Sequence, residues 1–142
     1  MKLTHVSLTD RNIDALAGFY RAVFGCEIRR PLTPLTGAAF ARGNGLPGVE
    51  IRSIWLSLPG SEAFLELLDY SETTPRALPR VNEPGWGHLS FAVPDIHQTC
   101  AHIIEQGGTS QGEVTNLGSD AAPFLAVYMR DPEGNILELE QG

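Results

Sequence analysis

The chain has 142 residues, is 42% hydrophobic and carries a formal net charge of −7. That length suits one compact domain with its own core. The acidic balance excludes a basic face for nucleic acid or an anionic membrane. Cys26 and Cys100 are too few for a disulfide framework and lack C-x-x-C spacing, so the expected compartment is reducing and cytoplasmic. No apolar run approaches membrane-spanning length, and Met1-Lys2 runs straight into a polar-interrupted strand with no targeting segment.

In chain order, residues 3–8 alternate as a strand. Asn12 is an N-cap, and Ile13, Leu16, Ala17, Tyr20, Val23 and Phe24 follow at helical spacing before Gly25 stops the helix. Cys26 to Arg30 reads as a short strand ended by Pro31, and residues 31–49, rich in Pro and Gly, as a loop. That loop is either a lid or a plain connection. Glu50 to Leu58 and Glu62 to Tyr70 form a hairpin about Pro59-Gly60-Ser61. The Pro-rich stretch 71–86 reads as a linker.

The order then repeats. Gly87 to Val93 is a strand, and Asp95 caps a helix with Ile96, Cys100, Ile103 and Ile104 inward. A short strand near 109–114, a loop near 115–122, and strands at 123–130 and 135–140 complete it, with Asp131 to Asn135 as the last turn. Each half is β-α-β-β-β. The expected class is therefore α+β: one domain over 1–142, with module 1 at about 1–70, the linker at 71–86 and module 2 at about 87–142. Two βαβββ modules in tandem would form a cupped mixed sheet with helices on the outer face.

The repeat carries chemistry. His5-Val6-Ser7-Leu8 matches His88-Leu89-Ser90-Phe91, and Phe64-Leu65-Glu66-Leu67 matches Ile136-Leu137-Glu138-Leu139. Each half thus offers one His on its first strand and one Glu on its last. Strand alternation puts the Leu, Val and Phe positions on one face and His5, Glu66, His88 and Glu138 on the other. A solvated face is the bland reading for any one of them. Four at matching places, with Trp55 and Phe64 on the same face, describe a metal site in a pocket better. Phe124 and Tyr128 share a face and either line the cup or sit at a dimer contact. Arg29, Arg30, Arg42 and Arg52 are candidates for binding a carboxylate or phosphate, or plain surface charges. His97 and His102 lack metal-pair spacing and read as surface residues. Cys26 reads as structural in preference to reactive, and Gly43-Asn44-Gly45 as a flexible loop.

At these residues the chain resembles the vicinal oxygen chelate superfamily, the glyoxalase, bleomycin-resistance and dioxygenase group. The carriers are H-V-S-L at His5, F-Y-R-A-V-F-G at Phe19, F-L-E-L-L-D-Y at Phe64, G-W-G-H-L-S-F-A-V at Gly85 and D-P-E-G-N-I-L-E-L at Asp131. In motif it is similar to the glyoxalase I and methylmalonyl-CoA epimerase branches. The resemblance implies metal ligands at His5, Glu66, His88 and Glu138, filled by one divalent ion (Zn, Ni, Co or Mn). It implies an isomerase or lyase acting through a metal-chelated enediolate on a small oxygenated substrate, with Glu138 moving the proton and Glu66 its partner. Trp55, Arg52, Phe64, Phe124 and Tyr128 are the expected substrate contacts, and a homodimer the expected assembly. Two alternatives stand beside it: an Fe or Mn dioxygenase using His5, His88 and Glu138, and a metal-free drug- or metabolite-binding protein. The epimerase branch has a further glutamate on the third strand. Here Ser53 or Arg52 falls there and Glu50 is slightly displaced, so the resemblance argues against a two-base epimerase.

Overall fold

The computed structural model describes residues 1–142, which divide into two compact units, Met1–Pro75 and Arg76–Gly142. The first unit runs β1 (His5–Asp10), α1 (Ile13–Phe24), β2 (Glu27–Leu35), α2 (Ala38–Asn44), β3 (Ile51–Ser57) and β4 (Phe64–Tyr70). Its sheet has the order β1-β4-β3-β2, with β1 parallel to β4 and the other pairs antiparallel. The second unit runs β5 (Leu89–Ala92), α3 (Ile96–Glu105), β6 (Thr109–Ser110), β7 (Thr115–Asn116), β8 (Leu125–Arg130) and β9 (Ile136–Gln141). Its order is β5-β9-β8-β6, with β7 also on β8 and β5 parallel to β9. The class is α+β, with one mixed sheet in each unit.

Local signals start and stop the helices. The Asn12 side chain accepts the Ala15 N–H at 3.2 Å, and Gly25 takes the left-handed conformation (φ 65°) that ends α1. Ile13, Leu16, Ala17 and Tyr20 are buried along one stripe of α1. On β3 and β4, Ile54, Leu56, Leu65 and Leu67 are 0–4% exposed. Each such side chain taken out of water is worth about 1.5–3 kcal/mol. Asp95 caps α3 by accepting the Gln98 N–H at 2.9 Å, and Ile96 and Ile103 are its buried residues.

The structure departs from the sequence reading in five places. β2 does not end at Pro31 but continues through Pro34 to Leu35. It is an edge strand that pairs only with β3, and its register breaks twice, between Ile28 and Arg30 and between Arg30 and Thr33, with Pro31 inside the second break. Residues 38–44, read as loop, form α2, whose one buried residue is Ala41. Too little of α2 is buried to give a periodic signal. Gly43 and Asn44 are its last turn, and Gly45 (φ 68°) its left-handed cap. Ile104 is 51% exposed and not inward, and Cys100 is only half-buried. Ile104 follows Ile103 by one residue, about 100° around the helix, and so leaves the buried stripe. The strand expected over 109–114 shrinks to the two-residue β6, and the two-residue β7 opens the stretch expected as a loop.

Ala41, Val49 and Ile51 form a small core cluster with Leu35, Leu68 and Tyr70 packed against it. Ile51 pairs across the strands with Tyr70, and Ser53 with Leu68, so α2 covers one end of the sheet face opposite α1. Tyr70 donates its hydroxyl to Asn44 Oδ1 at 3.2 Å, and Asn44 Nδ2 donates to Phe40 O at 3.0 Å. In the second unit, buried Arg130 holds the incoming chain. It donates to Pro79 O at 2.8 Å, to Gly134 O at 2.7 Å and to Gln111 Oε1 at 2.6 and 2.9 Å.

Two outcomes follow from this packing. A Cβ at Gly108 would collide with Arg130 O and Ile103 Cγ2. Gly108→Ala should therefore destabilise the chain by about 1–3 kcal/mol, read from urea unfolding. Cys26 is 3% exposed, and burial pushes its thiol up from 9.0 to about 11. It should resist iodoacetamide at pH 8 in the folded protein and react in urea. Between about pH 9 and 11 the folded chain keeps a proton that the unfolded chain loses, so stability falls as pH rises through that window. Cys26→Ala should flatten that part of the Tm-against-pH curve.

Candidate metal centre

In the first unit the site is built by register. Parallel pairing sets His5 opposite Phe64 and Ser7 opposite Glu66, and antiparallel pairing sets Trp55 opposite Glu66. His5, Ser7, Phe64, Glu66, Ser53 and Trp55 therefore share the face away from α1. His5 Nε2 lies 3.5 Å from Glu66 Oε2. The His5 Nδ1 sits 3.1 Å from Thr4 Oγ1, which leaves Nε2 as the ring nitrogen facing the carboxylate. His5 stacks on Phe64 with ring centres 5.1 Å apart. Trp55 contacts the same phenyl ring at 4.4 Å. The far oxygen of Glu66 is taken: Ser53 Oγ donates to Oε1 at 2.9 Å and Trp55 Nε1 at 2.8 Å. Arg30 donates to Ser53 Oγ at 2.9 Å, lies 3.8 Å from Glu66 Oε1, and places its guanidinium 3.6 Å over the Trp55 ring.

The second unit repeats the register. Ser90 and Tyr128 flank Glu138 as Ser7 and Trp55 flank Glu66. His88, one residue ahead of β5, puts Nε2 at 2.9 Å from Glu138 Oε2. Tyr128 lies opposite Glu138 in the strand pairing and meets the His88 ring edge-on at 5.2 Å. Burial first, and then the negative charge of Glu138, hold the Tyr128 phenol above its ordinary value. The two carboxylates are half-buried, with side chains 13% and 18% exposed.

Within each unit the structure pairs two of the four expected ligands, His5 with Glu66 and His88 with Glu138. It contains no group of three or more His, Cys, Asp or Glu placed to hold a metal ion. The other expected contacts fall differently. Trp55 spends its N–H on Glu66. Phe64 is 7% exposed and packs under His5 and Trp55, with Arg29 over its ring at 4.8 Å. Arg52 lies on the opposite face of β3, hydrogen-bonded through Nε to Asp69 Oδ2 at 2.9 Å, and that carboxylate raises its pKa. Strand alternation already separates it from Ser53 and Trp55. Phe124 precedes β8 and is exposed, whereas Tyr128 lies on β8 beside Glu138. On α3, His97 is exposed and His102 half-buried. Sequence reasoning missed Thr4, Arg30 and Ser53 as partners of the pair. The alternation that aligned Ser53 with Trp55 and Glu66 was the available signal for Ser53. The broken register of β2 hid Arg30.

Known proteins share this fold and sequence pattern. The model of the Glyoxalase/Bleomycin resistance protein/Dioxygenase superfamily matches residues 2–139. The chain belongs to this superfamily. It is 26% identical over 144 residues to an ethylmalonyl-CoA/methylmalonyl-CoA epimerase of Cereibacter sphaeroides, covering 99% of this chain and 97% of that one. In fold it is similar to a glyoxalase family protein from Bacillus cereus (TM-score 0.88, 19% identity, 99% and 93% of the two chains). It is also similar in fold to a variant of glyoxalase I from Zea mays (TM-score 0.68, 18% identity), covering 99% of this superfamily member and 44% of the maize chain.

The two tryptophans of this glyoxalase-superfamily chain sit in contrasting places. Trp86 is 71% exposed, whereas Trp55 is packed on Phe64 under Arg30. Acrylamide should quench Trp86 readily and leave a blue-shifted, protected emission that Trp55→Phe removes.

Proposed function

We propose that this superfamily member is a divalent-metal-dependent enzyme of the glyoxalase kind, an isomerase or lyase that moves a proton next to a carbonyl of a small oxygenated substrate. One ion would be held by His5, Glu66, His88 and Glu138. The observation that carries the reading is the repeated pair: in each unit a His Nε2 faces a Glu Oε2, at 3.5 and 2.9 Å. Two imidazoles and two carboxylates suit Zn, Ni, Co or Mn, and together they balance the charge of a divalent ion. When bound, the ion supplies Lewis acidity to a substrate carbonyl.

The chain's own residues supply the rest. Thr4 fixes the His5 ring. The half-buried Glu138, near His88 and opposite Tyr128 across the strand pair, is our choice for the group that takes and returns the proton, at Oε2. Ser53 is buried and engaged between Arg30 and Glu66, so it offers no second base. The name of the Cereibacter relative supports the same class of chemistry, since inverting a centre beside a thioester carbonyl requires removing and returning a proton.

The test is metal content and proton exchange. Wild-type protein should take up one divalent ion tightly, and His5→Ala and His88→Ala should each weaken it severely. With methylmalonyl-CoA, or with the hemithioacetal of methylglyoxal and glutathione, turnover in D₂O should incorporate deuterium. Glu138→Gln should lower turnover by about 10²–10⁴-fold. A chain that binds no divalent ion, or Glu138→Gln with full turnover, would overturn the proposal. Iron-dependent oxygen uptake would point instead to the dioxygenase chemistry of the same superfamily.

A further inference from the structure

We infer that Arg30, Ser53 and Trp55 are positioning residues that fix Glu66 so that only Oε2 is offered to an ion. The inference rests on the metal-binding reading above and goes beyond it. A carboxylate oxygen has roughly two lone pairs for hydrogen-bond donors. On Glu66 Oε1 both are used, by the Ser53 hydroxyl at 2.9 Å and the Trp55 indole N–H at 2.8 Å. Arg30 adds its charge at 3.8 Å and holds Ser53 Oγ at 2.9 Å, which orients the serine proton toward the carboxylate. The donors come from two strands: Ser53 and Trp55 alternate on β3, and Arg30 reaches in from β2 where the register breaks. The remaining oxygen, Oε2, faces His5.

Stability alone does not account for this arrangement. Arg30 Nε is buried without a hydrogen-bond partner, an unfavourable state for a guanidinium nitrogen. The same side chain is anchored at Nη2 and stacked on Trp55, so the unmet donor accompanies a fixed placement beside Glu66. Glu66 therefore binds an ion through one oxygen and stays put as an anchor. Glu138 has a different neighbour at the matching register position, a tyrosine in place of the tryptophan. The two carboxylates are not interchangeable, although the repeat makes them look so.

The test uses the full chain carrying Trp86→Phe, which leaves Trp55 as the one indole. Zn²⁺ and Co²⁺ chloride are titrated into this protein and into Ser53→Ala, Arg30→Ala and Arg30→Lys. Binding is followed by calorimetry, Trp55 emission and the visible absorption of Co²⁺. Zn²⁺ should perturb Trp55 emission in the parent. Ser53→Ala and Arg30→Ala should lose roughly 10–100-fold in affinity, as removal of ligand-orienting partners does, and alter the Co²⁺ spectrum. Arg30→Lys should recover part of the loss. Ser53→Ala, the smallest change, decides the matter if Arg30→Ala does not fold. Folded variants with parental affinity and an unchanged Co²⁺ spectrum would overturn this inference alone. A parent that binds neither ion would overturn the proposed function and this inference with it.

Discussion

The parallel pairing of first strand with last is the constraint on which each unit depends. Within their units, β1 lies beside β4 and β5 beside β9, although most of the unit separates them in sequence. Closing such a contact costs chain entropy, and burial of one apolar sheet face offsets it. In the first unit α1 covers that face, on Leu65 and Leu67, and in the second Leu137 and Leu139 are fully buried. Once the pairing is set, alternation leaves no freedom for the other face. A His on the first strand and a Glu on the last must look the same way.

Much of this was legible in the sequence because it rests on local rules. Caps at Asn12 and Asp95, a left-handed Gly25, and the alternation of β1, β3, β4, β8 and β9 all have sequence signatures, and the repeat fixed the order of elements. The structure adds what depends on neighbours far along the chain. An edge strand tolerates Pro31 and Pro34 because nothing pairs on its other side, which no local rule for proline reveals. Helix α2 buries only Ala41, so its sequence carries no period to detect. Arg30 reaches Glu66 only because the register of β2 breaks on either side of it. Arg52 was an avoidable misplacement, since alternation with Ser53 and Trp55 already put it on the other face.

The repeat is closer in backbone than in chemistry. Serine, glutamate and an aromatic residue meet at the same register in both units, yet the aromatic differs in kind. An indole N–H can only donate, and with a serine and an arginine it saturates one carboxylate oxygen. A phenol donates through a hydroxyl that can also accept, so the second carboxylate has a partner able to change roles. The repeat supplied the positions, and the residues around them give the two glutamates different neighbours.

The edge strand β2 has a consequence beyond the fold of its own unit. An unpaired strand edge invites a second chain to extend the sheet, and this one also exposes Ile28 and Leu32. Pro31 and Pro34 lack backbone donors, and two register breaks on either side of Arg30 interrupt the strand. An incoming strand would find neither a continuous row of N–H groups nor a flat surface. The irregularity that brings Arg30 to Glu66 thus also guards this edge against uncontrolled sheet growth at high protein concentration.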